Sequence, residues 1–187
     1  MEKIAIMKSS NEKSKSNNKE NIESKVEKIR VLHVDDEEGF LELTKIYLEK
    51  ISDQKLHVDS ISSSEQVVDY LKDHEYDVLV SDYQMPGLDG LELLKKLRNQ
   101  DNDIPFIIFT GKGREEIAIQ ALNLGADSYV KKGVDSRSLY TELAHIIERL
   151  VKEKNLERKL YESQQSIKNA KKKIFILSLL QFVKLIN

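Results

Sequence analysis

The chain has 187 residues, enough for one ordinary domain with extensions and too few for two full ones. Hydrophobic residues make up 40% and charged residues 33%, which supports a packed core and excludes disorder throughout; zero Cys excludes disulfide scaffolds, thiolate zinc sites and cysteine nucleophiles. The formal charge of −2 conceals 7 Lys against 5 Glu over 1–28 and 10 basic against 3 acidic residues over 149–187, leaving 13 basic against 24 acidic, or −11, between them, so direct nucleic-acid binding by the acidic centre is not expected.

Residues 8–20 contain only Lys, Ser, Asn and Glu, a composition that buries too little apolar surface to offset ordering, and 1–28 reads as a flexible polar arm. It lacks the apolar stretch of a secretory signal, and no apolar run reaches the ~18 residues of a membrane span. A cytoplasmic protein is expected. Order begins at Ile29, where IRVLHV has the β-branched content of a buried strand. Phe40, Leu41, Leu43, Thr44, Tyr47 and Leu48 follow at helical spacing. Leu56–Ile61 reads as a second strand, and Ser64 with Val67, Val68 and Leu71 as a capped second helix.

The alternation continues with a third strand over Asp77–Ser81 and a third helix presenting Leu91, Leu94 and Leu97 on one face. A fourth strand spans Ile104–Phe109, and Ile117, Ala118, Ala121 and Leu122 mark a fourth helix that stops at Gly125, a natural left-handed cap. Ser128–Val130 is a short fifth strand, with a fifth helix from about Ser136. Near-continuously apolar strands alternating with helices imply an α/β fold with a parallel sheet covered on both faces. Ligands in such sheets bind beyond the carboxyl ends of the strands.

At those ends stand Asp35 and Asp36, Asp82, Thr110, and Lys131 with Lys132. An acid after a strand often only caps the next helix, which accounts poorly for two adjacent acids joined by a third from another strand. Carboxylates brought close together disfavour one another's ionisation unless a cation compensates. Hard oxygen ligands without adjacent His or Cys point to Mg2+.

The segments VLHVDDEE, DVLVSDYQMPGLDGLELLKKLR, PFIIFTGKGREE and LGADSYVKKG stand in the order and spacing of the receiver domain of two-component response regulators, and the chain resembles that family over about 29–150. The FTGKGREE variant looks most like receivers associated with archaeal sensor kinases. The resemblance implies a doubly wound, flavodoxin-like five-stranded parallel sheet of order 2-1-3-4-5 with a C-terminal helical extension. It makes Asp82 the phosphoacceptor, taking a phosphoryl group from a phosphohistidine on a sensor histidine kinase or phosphotransfer protein. Asp36 would ligate Mg2+ directly, Asp35 mainly through water, Gln84 through its backbone carbonyl, and Asp82 itself would complete the set. Thr110 would donate to a phosphoryl oxygen, Lys132 would form the charged pair, Tyr129 would switch with Thr110, and Lys112 and Gln84 would stand at the rim that tunes acyl phosphate lifetime. Met85, Pro86 and Gly87 would shape the loop after Asp82. The family's Pro after the lysine, preceded by a cis peptide, is replaced by Gly133; a cis non-proline bond costs roughly 2.5–4 kcal/mol, so the sequence leaves open whether the Lys132–Gly133 bond is cis.

Gly111–Gly113 lacks the spacing and hydroxyl of a P-loop and reads as a turn. His33 reads as a packed core histidine, and His57, His74 and His145 are assigned no chemistry. From Leu139 the apolar residues continue through Leu143, Ile146, Ile147, Leu150, Leu156, Leu160 and Ile167, with no Pro or Gly after Gly133, and residues 174–187 hold 10 apolar residues of 14. Residues 151–187 therefore read as a helical linker or tail, with a single helix, a homodimeric coiled coil and a link to a further domain as its candidate roles. The expected function is a phosphorylatable switch acting on an unidentified downstream protein, not an enzyme with a separate substrate. A receiver fold used only as a scaffold is the alternative. An aspartate-based phosphatase would need a second Asp two residues after the nucleophile, where Gln84 stands.

Overall fold

The computed structural model describes residues 28–111 and 115–186. Of the arm expected over 1–28, only Lys28 falls among them, and Lys112 lies outside them. The elements run in strict alternation: β1 (Ile29–Val34), α1 (Glu38–Ile51), β2 (Leu56–Ile61), α2 (Ser64–Asp73), β3 (Val78–Ser81), α3 (Gly90–Arg98), β4 (Phe106–Thr110), α4 (Glu115–Asn123), β5 (Ser128–Lys131) and α5 (Ser136–Ile186). The strands form one parallel sheet of order β2-β1-β3-β4-β5, as the resemblance implies.

Successive side chains on a strand point to opposite faces, and the sheet divides its apolar residues accordingly. Val31, Val58, Val80, Phe109 and Val130 pack with Leu48 of α1 and Leu139, Leu143 and Ile147 of α5. Leu32, Val34, Leu79, Phe106 and Ile108 pack on the other face with Val67 of α2, Leu94 of α3 and Ala121 of α4. Both faces are covered, which is why these strands are apolar almost throughout.

Several boundaries differ from the sequence reading for identifiable reasons. β4 begins at Phe106, because Pro105 has no N–H to give the ladder; its carbonyl still accepts from Leu79 at 2.8 Å. β3 begins at Val78, and Asp77 instead accepts a hydrogen bond from the Arg30 backbone N–H at 2.7 Å. Ser64 is the first residue of α2 and does not cap it: the N-cap is Ser63, which makes no side-chain cap bond, and the Ser64 hydroxyl donates to the Leu88 carbonyl. Leu122 lies exposed, and Ala121 alone anchors α4 fully in the core. Gly125 takes φ +91°, the left-handed conformation expected after α4.

His33 is buried inside β1, and neither ring nitrogen makes a hydrogen bond among the described residues. Burial, with a smaller contribution from the Lys132 charge, pushes its pKa from 6.5 down to about 3. Between those values the unfolded chain takes up a proton that the folded chain refuses, so stability falls with pH by about 1.4 kcal/mol per unit from this group. Urea unfolding between pH 6.5 and 4.5 is expected to show a shallower acid loss for His33→Val than for wild type; parallel losses would contradict the assignment.

Candidate functional site

The parallel register brings the carboxyl ends of four strands to one edge. Val34 pairs with Ser81, Ser81 with Ile108, and Thr110 with Lys131. The next residues continue the ladders outward, with Asp82 N–H donating to the Val34 carbonyl at 2.8 Å and Lys132 N–H to the Thr110 carbonyl at 2.9 Å. Asp35, Asp82, Thr110 and Lys132 therefore sit side by side at the end of a rigid sheet. Asp35, Asp82 and Thr110 are all buried.

Lys132 joins the two acids. Its Nζ donates to Asp35 Oδ2 at 2.6 Å and to Asp82 Oδ1 at 2.9 Å, with all three side chains less than a tenth exposed. Burial lowers the pKa of the ammonium, but its bonds and attraction to Asp35 and Asp82 outweigh that, and the net shift is upward. Burial raises Asp35 above the usual carboxylate range, against the opposing pull of the Lys132 and Glu37 hydrogen bonds. The ammonium also lies 4.2 Å from the Phe40 ring centroid and 5.5 Å from that of Phe109, a cation–π setting that favours a desolvated charge. Lys132 achieves this reach without a cis bond to Gly133, since no cis peptide occurs among the described residues.

The remaining acid oxygens are held by backbone. Asp82 Oδ2 accepts from the Gln84 N–H at 2.6 Å, and Asp35 Oδ1 from the Glu37 N–H at 3.0 Å. Asp36 is exposed, and no group of three His, Asp or Glu side chains among the described residues is drawn close enough to hold a metal ion. The site thus brings together Asp35, Asp82, Thr110 and Lys132, with Asp36 turned to solvent beside them. Tyr129 points inward, and its buried hydroxyl makes no hydrogen bond among the described residues; burial and the nearby Asp82 charge raise its pKa.

Two contributors escaped the sequence reading. Phe40 was legible only as an apolar helix position, although its ring faces the ammonium. Gly90 opens α3, and an ideal Cβ there would stand 2.3 Å from the Asp82 carbonyl oxygen and 3.1 Å from Tyr83 Cα. Its N–H donates to the Tyr83 carbonyl at 2.9 Å, closing the loop on which Asp82 rides. Asp89, with a capping box to Glu92, fixes the helix start at that point. Gly87, at φ +80°, supplies the left-handed turn within the same loop.

Residues 31–144 match the family described as "Response regulator receiver domain". The "Response regulator SaeR" of Staphylococcus aureus (strain USA300) is 34% identical over 122 residues, covering 65% of this chain and 52% of that protein. The chain thus spans about half the length of the curated relatives it matches. The receiver domain of a Francisella response regulator is 28% identical with a TM-score of 0.59, covering 67% of this chain and 98% of that one. The response regulator TrrA of Thermotoga maritima, in complex with Mg2+-BeF, is 27% identical with a TM-score of 0.55, covering 65% and 98%.

Removing the Lys132 charge leaves two buried carboxylates uncompensated, a change that typically costs about 3–5 kcal/mol. Lys132→Met is expected to lower unfolding stability at pH 7 by about 3 kcal/mol, and Asp35→Asn in the same chain to restore part of it. Independent, additive effects in that double-variant cycle would show that the contact carries no coupling. Gly90→Ala is expected to cost about 1–3 kcal/mol through overpacking against the Asp82 backbone; unchanged stability would show that the loop yields freely.

Proposed function

Because this chain belongs to the response regulator receiver family, we propose that Asp82 accepts a phosphoryl group from a phosphohistidine on a sensor histidine kinase or phosphotransfer protein in the cytoplasm. The observation that carries this reading is the Asp82 carboxylate itself, buried at the strand edge with one oxygen on the Lys132 ammonium and the other on the Gln84 N–H. Both contacts fix its direction. In the transfer, an Asp82 oxygen attacks phosphorus, the phosphorus–nitrogen bond breaks, and its electron pair remains on the donor imidazole. The product is an acyl phosphate. Lys132, already on Asp82, follows the charge onto the phosphoryl group, and the Thr110 hydroxyl on the neighbouring strand donates to a second phosphoryl oxygen.

The donor chemistry at this edge suits Mg2+. Asp35, Asp36 and Asp82 supply hard oxygens with a formal charge of −3, against +1 from Lys132, and the remaining −2 matches a divalent cation. Asp36 would hold it directly, Asp35 mainly through water, with Asp82 and the Gln84 carbonyl completing the protein ligands. When bound, the ion offsets negative charge on the transferring phosphoryl group. Lys132 and the ion would then share the same carboxylates, offsetting their charge together.

The receiver occupies 29–150 in this reading, supported by the family match and by burial of α5 as far as Val151, and 151–187 forms a helical extension. Its chemistry is confined to gaining and losing a phosphoryl group on its own aspartate. Thr110 and Tyr129 shift on phosphorylation and change the face presented to a downstream protein. The orphaned Tyr129 hydroxyl favours such a movement, because a new position can satisfy it. By the family resemblance, Lys112 and Gln84 would tune the lifetime of the acyl phosphate.

Incubation with a small acyl or amido phosphate donor and Mg2+ is expected to add about 80 Da, the mass of one transferred phosphoryl group, to the intact chain. Asp82→Asn is expected to abolish the adduct. Asp36→Ala is expected to need more Mg2+ than Asp35→Ala to reach half its own maximal labelling. Retained labelling in Asp82→Asn would overturn the phosphoacceptor assignment, and unchanged Mg2+ dependence in Asp36→Ala would overturn the metal ligand.

A further inference from the structure

α5 changes allegiance along its length. From Leu139 to Val151 its apolar residues are buried against the sheet, at Leu139, Tyr140, Leu143, Ala144, Ile147, Leu150 and Val151. Beyond that point Leu156, Leu160, Ile167, Ile174 and Leu177 are half to two-thirds exposed, although the helix runs unbroken to Ile186. Leu156 lies nine residues past the buried Ile147 and Ile174 lies twenty-seven past it, about two and a half and seven and a half turns at 3.6 residues per turn. The exposed stripe therefore faces directly away from the receiver core.

The stripe is periodic in a way that selects its occupant. Leu156, Leu160, Ser163, Ile167, Ala170, Ile174 and Leu177 follow one another at spacings of four and three without interruption, which is a heptad seam just over three repeats long. We propose that residues 156–177 form a parallel, in-register two-stranded coiled coil with a second copy of this chain. Leu160, Ile167 and Ile174 occupy one core position of the heptad, and Leu156, Ser163, Ala170 and Leu177 the other. Two of the three first positions carry β-branched Ile and the outermost second positions carry Leu, a combination that favours two parallel strands. Ser163 and Ala170 keep the middle of the seam narrow.

The flanking charges choose the orientation. In the parallel arrangement Lys152 of each copy faces Glu157 of the partner, Lys159 faces Gln164, and Ser166 faces Lys171, so no like charges meet. In the antiparallel arrangement Glu157 would meet Lys171, but Lys159 would meet Lys173 twice by symmetry, cancelling the gain. A parallel pair places the two receivers at the same end on opposite sides of the two-fold axis, because each core lies on the far side of its own helix from the seam.

The absence of Cys from the chain makes an engineered thiol unique. In full-length Ala170→Cys, mild oxidation is expected to yield disulfide-linked dimer at least tenfold faster than in Gln165→Cys, whose thiol stands on the outer face of the helix. Adding Ile167→Asp to Ala170→Cys is expected to remove that advantage, with the helical and sheet content of the receiver unchanged by circular dichroism. Sedimentation equilibrium of the wild-type chain is expected to move from one to two chain masses with rising concentration. Equal crosslinking of the two cysteine variants, or a wild-type chain that stays monomeric throughout, would overturn the proposal. Preferential linkage of Ala170→Cys to Leu160→Cys would replace it with the antiparallel pair, and monomeric chain carried by anionic phospholipid vesicles would assign the stripe to a lipid surface.

Discussion

One buried ammonium organises this molecule's functional edge. Two carboxylates cannot share a low-dielectric site in their ionised forms unless a cation stands between them, and Lys132 meets both within hydrogen-bonding distance. The arrangement imposes demands well beyond the three side chains. The strands must be parallel, so that three separate segments deliver Asp35, Asp82 and Lys132 to the same edge. The sheet must be covered on both faces, so that water does not screen the contact. The rings of Phe40 and Phe109 must lie where the ammonium can use them.

The same contact accounts for how phosphorylation would be registered in the proposed reading. In the proposed reading, a divalent cation would share the carboxylates that Lys132 now holds and a phosphoryl group on Asp82 would compete for the ammonium, so loading the site would exchange electrostatic partners without adding a new element of structure. Phe109 precedes Thr110 on β4, and its ring packs at 6.1 Å against Tyr140 of α5, which in turn stacks on Tyr47 of α1. The Tyr140 hydroxyl lies 3.3 Å from Thr44 Oγ1, completing a packed connection between the site's flank and the long helix. The proposed coiled-coil seam lies on the opposite face of that same helix, so one rigid element borders both surfaces.

Much of this was legible in the sequence because the strands announce themselves. β1 and β2 were readable to the residue from apolar, β-branched runs, and the strand ends fixed which polar residues share an edge. Pattern alone could not supply neighbours across the fold. The spacing of Phe40 places it on a helix face but says nothing of an ammonium arriving from β5, and the role of Gly90 depends on a backbone carbonyl eight residues earlier. Ser64 looked like a cap because Ser commonly caps, yet its hydroxyl serves Leu88. The pair Asp35–Asp36 reads as one motif, whereas the fold buries the first and exposes the second, since adjacent residues leaving a strand point in different directions. Leu122 fits the helical period of α4 but lies exposed, while the adjacent Ala121 is turned into the core.

The central claim is that the carboxylate paired with Lys132 at the end of β3 is the one that receives phosphate. An acyl phosphate can be trapped by borohydride reduction, which converts the modified aspartate into homoserine and leaves every unmodified aspartate intact. After labelling in Mg2+, reduction and digestion, peptide sequencing by mass spectrometry is predicted to find homoserine at position 82 and nowhere else. Homoserine at 35 or 36, or a labelled chain with no homoserine at 82, would contradict the account.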